Sequence, residues 1–288
     1  MSNLSKPGKV YLVGAGPGAA DLITVRGAKL LEQADIVFHD ALVDPAMLEL
    51  CPQAIKAPVG KRCGKLSSAQ HFINKRLIDA ARKHQVIVRL KGGDPMLFGR
   101  ADEEIEALRN HHIEVEVVPG ITAALAGAAV IQQSLTLRGV SRSIAFVTLA
   151  QGTENLASHE EKRQPIQNPQ ADTLVYYMGR KDAENIANKL IEDNSNHTSE
   201  TPAHILEAVS TKHERHWSST LGQLANGKAN DWFDNASPAL IMIGEALREK
   251  QQEVGKATIQ ITELESSSTK FDDGLQDSLI FTHGRRSA

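Results

Sequence analysis

Two apolar runs in this chain close on glycine-rich loops and then pass into helical patterns. Val10-Tyr11-Leu12-Val13 leads into Gly14-Ala15-Gly16-Pro17-Gly18, and Val86-Ile87-Val88-Arg89-Leu90-Lys91 leads into Gly92-Gly93-Asp94-Pro95. Further strand-like runs follow at Ile36–Phe38, weakly at Ile55–Val59, and at Val115–Val118. Helical periodicity covers Leu22–Ala34 and a stretch capped by Ser67 or Ser68 that runs to about His84, with Phe72, Leu77, Ile78 and Ala81 as its apolar stripe. Strands alternating with helices place the chain in the α/β class with a largely parallel sheet.

The pattern lapses around Gln132–Arg142 and resumes with strands at Ile144–Val147, Leu174–Gly179, Ala203–Val209 and Leu240–Gly244, and a helix at Asp182–Ile191. The lapse marks an expected domain boundary: an N-terminal α/β domain over 1–134, a C-terminal α/β domain over 143–249, and a polar tail over 250–288. Residues 151–172 read as a long surface loop. A length of 288 residues suits one large domain or two ordinary ones.

A formal net charge of −3 argues against a global basic field for nucleic acid, while leaving room for a local basic pocket. The two cysteines, Cys51 and Cys63, form no CxxC pair, and His111-His112, the one adjacent histidine pair, reads as a solvated turn. No metal site is expected. With no signal peptide and no apolar run of membrane length, the expectation is a soluble, cytoplasmic protein.

Each glycine loop offers its own ligand. Gly92 and Gly93 permit close backbone approach, and Asp94 presents a carboxylate to ribose hydroxyls or an amino group. Gly14-x-Gly16-x-x-Ala19 meets the relaxed dinucleotide fingerprint, with Asp40 at the end of the second strand where a ribose-binding acid belongs. Against that, Pro17 removes a backbone N–H where a pyrophosphate needs donors, and the Gly92 loop is left without a task. A plain strand-to-helix turn is the other reading of Gly14–Gly18. After Pro119-Gly120, Thr122 reads as the cap of a helix of small residues. That helix suits either a close ligand or tight helix–sheet packing.

Taken together, Val13-Gly14-Ala15-Gly16-Pro17-Gly18, Val59-Gly60-Lys61-Arg62, Arg89-Leu90-Lys91-Gly92-Gly93-Asp94-Pro95 and Phe98-Gly99-Arg100 form an ordered set. Glu103-Glu104, Val118-Pro119-Gly120-Ile121-Thr122-Ala123, Tyr177-Met178-Gly179 and Ser237-Pro238-Ala239-Leu240 extend it. This set resembles the tetrapyrrole C-methyltransferases, above all their uroporphyrinogen-III branch, from Val10 to about Gly244. The resemblance implies two α/β domains with a non-Rossmann cleft for S-adenosylmethionine between them, in a homodimer. It implies that Pro17, Gly92, Gly93, Asp94, Thr122, Ala123, Met178, Ala208 and Ala239 line the cofactor site. The implied reaction is methylation of uroporphyrinogen III at C2 and C7 to precorrin-2, on the routes to sirohaem, cobalamin or haem d1.

A substrate with eight carboxylates calls for arginine forks. The resemblance makes Arg100 and Glu103 catalytic, with Arg100, Arg138, Lys61 and Arg62 binding the tetrapyrrole. From the residues alone, Arg100 and Glu103 equally suit a surface ion pair at a helix start. The chain departs from the family pattern at Ala101-Asp102, where two glycines are usual, at Leu137, where histidine is frequent, and at Leu149-Ala150, where Gly-His is common. Other readings therefore stand beside the main one: a methyltransferase for a later precorrin, a dinucleotide-dependent oxidoreductase, and a relative that keeps the cofactor without turnover.

Overall fold

Val10, Leu12 and Val13 have no exposed surface, and the strand that carries them lies inside a sheet whose five strands all run parallel. The computed structural model describes residues 6–40, 43–59, 66–149, 169–193 and 196–249. The first sheet has the order β3 (Ile55–Pro58), β2 (Ile36–His39), β4 (Val86–Lys91), β1 (Lys9–Gly14), β5 (Val115–Val118). Helix α1 (Val25–Gln33) lies on one face, and α2 (Leu66–Ala81) and α3 (Ala101–Asn110) on the other. Val10 and Leu12 join the core on the face of α2 and α3, while Val13 joins the core under α1. A strand buried on both faces needs an unbroken apolar run, as its sequence shows. Each such Val or Leu contributes roughly 1.5–3 kcal/mol on burial.

Helix boundaries follow their caps. Ala20–Leu22 form a short 3-10 turn, and α1 starts only at Val25 because the Thr24 hydroxyl accepts the Gly27 N–H at 3.1 Å. α2 ends at Ala81, earlier than the periodicity suggests, since Lys83 and His84 N–H both turn back to the Ala80 carbonyl.

The second sheet has the order β6 (Ile144–Thr148), β7 (Thr173–Tyr177), β10 (Ala239–Gly244), β8 (Pro202–Glu207), β9 (Arg215–Thr220). Here only β6 and β7 are parallel, and the other three pairings are antiparallel. The largely parallel arrangement expected from the strand–helix alternation of the first half is therefore found in the first sheet, while the second sheet is mixed. The loop from β8 to β9 is too short for a crossover, so those strands must pair antiparallel. β9 itself is not evident in the sequence because, as an edge strand with Arg215, His216, Ser218 and Ser219, it lacks apolar alternation. Helices α5 (Ala183–Glu192) and α6 (Leu221–Ala225) cover this sheet, with Thr220 capping α6 through the Gln223 N–H.

Between the sheets runs α4 (Ala123–Val130), and its inner face is packed closely on the second sheet. Ala124 and Ala126 pack with Leu206, Leu240 and Met242, and a Cβ on Gly127 would stand 3.2 Å from Met242 Sδ. The small residues serve tight packing on β10. Both sheets belong to one compact unit extending to Arg248. The expected tail and most of the expected loop at 151–172 lie outside the described residues.

Candidate functional site

Because β4, β1 and β5 are neighbours and parallel, their carboxyl ends bring three loops together, where open α/β sheets bind ligands. The two glycine loops prove to be one structure. Gly93 N–H donates to the Gly16 carbonyl at 2.7 Å, and Gly16 N–H donates back to the Gly93 carbonyl at 3.2 Å. Both glycines hold left-handed backbone, with φ of 79° at Gly16 and 67° at Gly93. The third loop is equally close, since a Cβ on Gly120 would lie 2.2 Å from the Gly93 oxygen and 2.8 Å from Gly14 Cα. Asp94 closes the assembly. Its Oδ2 accepts the Gly120 N–H at 2.9 Å and its Oδ1 the Met96 N–H at 2.8 Å. Gly92 differs from these glycines, for a Cβ there would meet nothing within 4 Å.

Strand order also removes the dinucleotide reading. β4 separates β2 from β1, so Asp40 stands two strands, about 9–10 Å, from the Gly14 loop. Its Oδ1 is bound to Arg89 Nη2 at 2.6 Å. An acid two strands from the glycine turn and already paired with an arginine is not a ribose ligand for that turn.

The second sheet supplies the opposite wall. Thr122 has the extended backbone of a helix cap, yet its own side chain makes no cap bond. The Tyr177 hydroxyl takes over, accepting the Ala124 N–H at 3.1 Å and pairing with Thr122 Oγ1 at 2.6 Å. Burial raises the Tyr177 phenol above its ordinary pKa, which keeps the hydroxyl protonated. Phe98 and Phe146 meet the Tyr177 ring edge-on, at centroid distances of 5.2 Å and 6.1 Å.

Beside Tyr177, Met178 has φ 56° and is 56% exposed. Phe98, Arg100, Ala208 and Ser210 share the left-handed conformation, with φ between 48° and 60°. Strain of this kind costs on the order of 1–3 kcal/mol per residue and gathers at ligand sites. Ala19 N–H donates to Ser210 Oγ at 3.1 Å, so the loop after β1 meets the loop after β8. Ala208 N–H donates to the Pro238 carbonyl at 3.0 Å, next to Ala239 at the start of β10. The Arg180 guanidinium fixes the stretch before it, donating to the carbonyls of Asp234, Asn235 and Ser237. The structure thus brings Pro17, Gly92, Gly93, Asp94, Thr122 and Ala123 to the loops of the first sheet. Met178, Ala208 and Ala239 lie on loops and strand ends of the second.

Arg100 occupies the N-cap of α3, and Glu103 holds it in a fork, Nε to Oε1 at 2.6 Å and Nη2 to Oε2 at 2.8 Å. The pair is partly exposed, with side-chain exposures of 33% and 48%. Asp102 points to solvent. Arg138 is exposed at the tip of a tight turn in which Leu137 and Ser141 exchange backbone bonds. Lys61, Arg62 and Ala150 lie outside the described residues. His111 and His112 end α3 as an exposed turn, with His111 Nδ1 2.9 Å from the Ala107 carbonyl.

Sequence reasoning missed Glu104. It is fully buried and binds Arg89 at 3.1 Å and Lys91 at 3.0 Å. The signal was present: two cations two residues apart in a buried strand need a buried acid. Among the described residues no group of three or more metal-ligating side chains occurs, and no helix is long and apolar enough to cross a membrane.

Residues 9–225 match the family described as tetrapyrrole (corrin/porphyrin) methylases. A uroporphyrinogen-III C-methyltransferase of Pseudomonas aeruginosa is 40% identical over 84% of this chain and 95% of its own length. A siroheme synthase of Pseudomonas fluorescens is 42% identical over 85% of this chain, which spans only 52% of that relative. The chain therefore covers about half the length of the siroheme synthases it matches. Among solved structures, the uroporphyrin-III C-methyltransferase of Thermus thermophilus complexed with S-adenyl homocysteine superposes with a TM-score of 0.68. It is 36% identical, over 84% of this chain and 96% of that one.

Proposed function

Since this chain belongs to the tetrapyrrole methylase family, we propose that it methylates uroporphyrinogen III at C2 and C7, forming precorrin-2 with S-adenosylmethionine as donor. The single observation that carries the reading is the joined edge of glycine loops beside the Arg100–Glu103 fork. One wall accommodates a ligand against bare backbone, and the next residues offer a guanidinium to an acidic one.

The residues fit an adenosyl donor. Gly92 leaves space where any side chain would intrude, and Ala123, Ala208 and Ala239 keep the surrounding loops shallow. Met178 contributes an exposed thioether, a soft apolar surface for a ring. When bound, the donor supplies a methyl group on a good leaving group, so the protein's share is alignment and charge. Gly93, Asp94 and Thr122 hold the loops rigid, and Pro17 stiffens the turn after β1. Arg100, oriented by Glu103, receives a substrate carboxylate, and the Glu103 carboxylate is the adjacent group able to accept a pyrrole proton. Lys61, Arg62 and Arg138 add positive charge for the remaining carboxylates. The reading includes two functional domains, 1–134 and 143–249, a homodimer and a cytoplasmic location.

Calorimetry with S-adenosylhomocysteine, NAD and NADP tests the cofactor. Binding of the adenosyl ligand alone is expected, and binding of a nicotinamide dinucleotide in its place sinks the proposal. Gly92→Ala should melt like the unaltered protein yet bind S-adenosylhomocysteine at least about tenfold more weakly. Incubation with uroporphyrinogen III and S-adenosylmethionine should yield precorrin-2, and Arg100→Ala should cut kcat/KM by about 10²-fold with cofactor affinity retained.

A further inference from the structure

Lys91 ends β4 and hands the chain to the Gly92 loop, and α3 begins directly after Arg100. Arg89 and Lys91, two residues apart, project from the same face of β4 toward α3. Glu104 meets them there, accepting from Arg89 Nε at 3.1 Å, Lys91 Nζ at 3.0 Å and Gln70 Nε2 at 3.2 Å. Glu104 has no exposed surface, and Arg89 and Lys91 are 3% exposed each. Asp40 takes the other end of Arg89, so two cations face two carboxylates. The Lys91 stem passes beneath the loop, within 3.3 Å of where a Cβ on Gly99 would stand.

Desolvation of such a network offsets most of its attraction, and apolar side chains of similar volume would stabilise the fold as well. Apolar packing, however, sets no directional distance between a strand end and a helix start. Burial pushes the Lys91 ammonium toward a lower pKa, and the Glu104 carboxylate opposes that shift.

We infer that Glu104 is a positioning residue for methyl transfer, tying the first turn of α3, and with it the Arg100–Glu103 fork, to the strand that carries the Gly92 loop. The inference rests on the tetrapyrrole methyltransferase reading above. Glu104 follows Arg100 by one helical turn on the buried side, so a shift of that turn carries the guanidinium with it. The Gly92 loop stays in place, because β4 is bonded on both sides in the sheet and Gly93 to Gly16. A misplacement of about 1 Å is enough for a loss on the order of 10²-fold in rate.

Two variants separate positioning from stability. Glu104→Asp keeps the charge and shortens the tether. The double variant Lys91→Met/Glu104→Gln removes one cation and one carboxylate, and with them both Glu104 ion pairs, without leaving net charge. Kinetics with uroporphyrinogen III and S-adenosylmethionine are measured where circular dichroism shows each protein folded, beside S-adenosylhomocysteine affinity. Both variants should lose about 10- to 100-fold in kcat/KM for the tetrapyrrole, with cofactor Kd changed by less than about threefold. A lowered melting temperature with unchanged kcat/KM overturns the inference, as does recovery of full kcat/KM in the double variant. If the unaltered protein neither binds nor methylates the tetrapyrrole, the functional reading falls and takes this inference with it. If the unaltered protein turns over and Glu104→Asp matches it, the inference alone falls.

Discussion

On the first sheet's side of the cleft, Gly14, Gly16, Gly93 and Gly120 are locked backbone to backbone. On the second sheet's side, side chains do the holding: Arg180 grips the carbonyls of Asp234, Asn235 and Ser237, and Tyr177 caps α4 from a neighbouring strand. The first wall has no slack, because a carbonyl or a Cα cannot rotate away from an intruding atom. The second can adjust, because guanidinium and phenol groups sit on rotatable stems. A cleft with one rigid and one adaptable wall can fix a small donor while closing on a larger substrate.

The largest expected effect breaks the rigid wall. Gly120→Ala drives a methyl group against the Gly93 oxygen, and should cost about 3 kcal/mol or more and abolish S-adenosylhomocysteine binding. Its counterpart on the adaptable wall is Gly179→Ala, where the nearest atom is Ile186 Cδ1 at 3.2 Å, the tip of a movable side chain. That variant should lose less than about 1 kcal/mol in denaturant unfolding. Equal losses at the two sites would erase the contrast.

An intermediate effect is expected at Arg180. Arg180→Lys removes a fork that serves three carbonyls and leaves an ammonium able to serve one, at a cost of about 1–2 kcal/mol. Because the loop it holds leads to Ala239, S-adenosylhomocysteine affinity should fall about tenfold, while the Gly92 loop keeps its protection in hydrogen exchange. Loss of protection across both walls would show that they are not independent.

The smallest effect concerns a device both sheets share. Asp35 accepts the N–H groups of Val86 and Gln85, and Asp172 those of Arg142 and Ser143 with the Ser143 hydroxyl. These bonds hold both carboxyl groups below the ordinary aspartate value of 3.8. The charged form is favoured by folding, so the stabilisation is present above that value and disappears as pH falls through the lower folded one. Asp35→Asn and Asp172→Asn should each melt slightly lower at pH 7, below about 1 kcal/mol for the mostly exposed Asp35. The differences should vanish in acid, and a difference that persists at low pH would refute the carboxylates' role.

Particular residues show how much was legible in advance. The Gly92 loop announced itself because adjacent glycines before Asp-Pro have few uses in an ordinary turn. Arg100 and Glu103 were legible as a pair by their helical spacing, and the fork formed as that spacing requires. Asp40 misled, because its distance in sequence from the Gly14 loop matched a fold whose strand order this chain does not have. Thr122 misled on a finer scale, since the bond expected of its hydroxyl is made by Tyr177, a residue distant in sequence.

Periodicity and glycine placement, which are local, determined the strand–helix alternation, the loops after β1 and β4, and the helix that carries Arg100. Tertiary structure alone decided that β4 enters between β2 and β1, that the second sheet is mostly antiparallel, and that the Gly14 and Gly92 loops are one site. Backbone propensity acts over a few residues, whereas strand neighbours are chosen by which buried faces and charges satisfy one another. Glu104, sealed between Arg89 and Lys91, lies where those two scales meet.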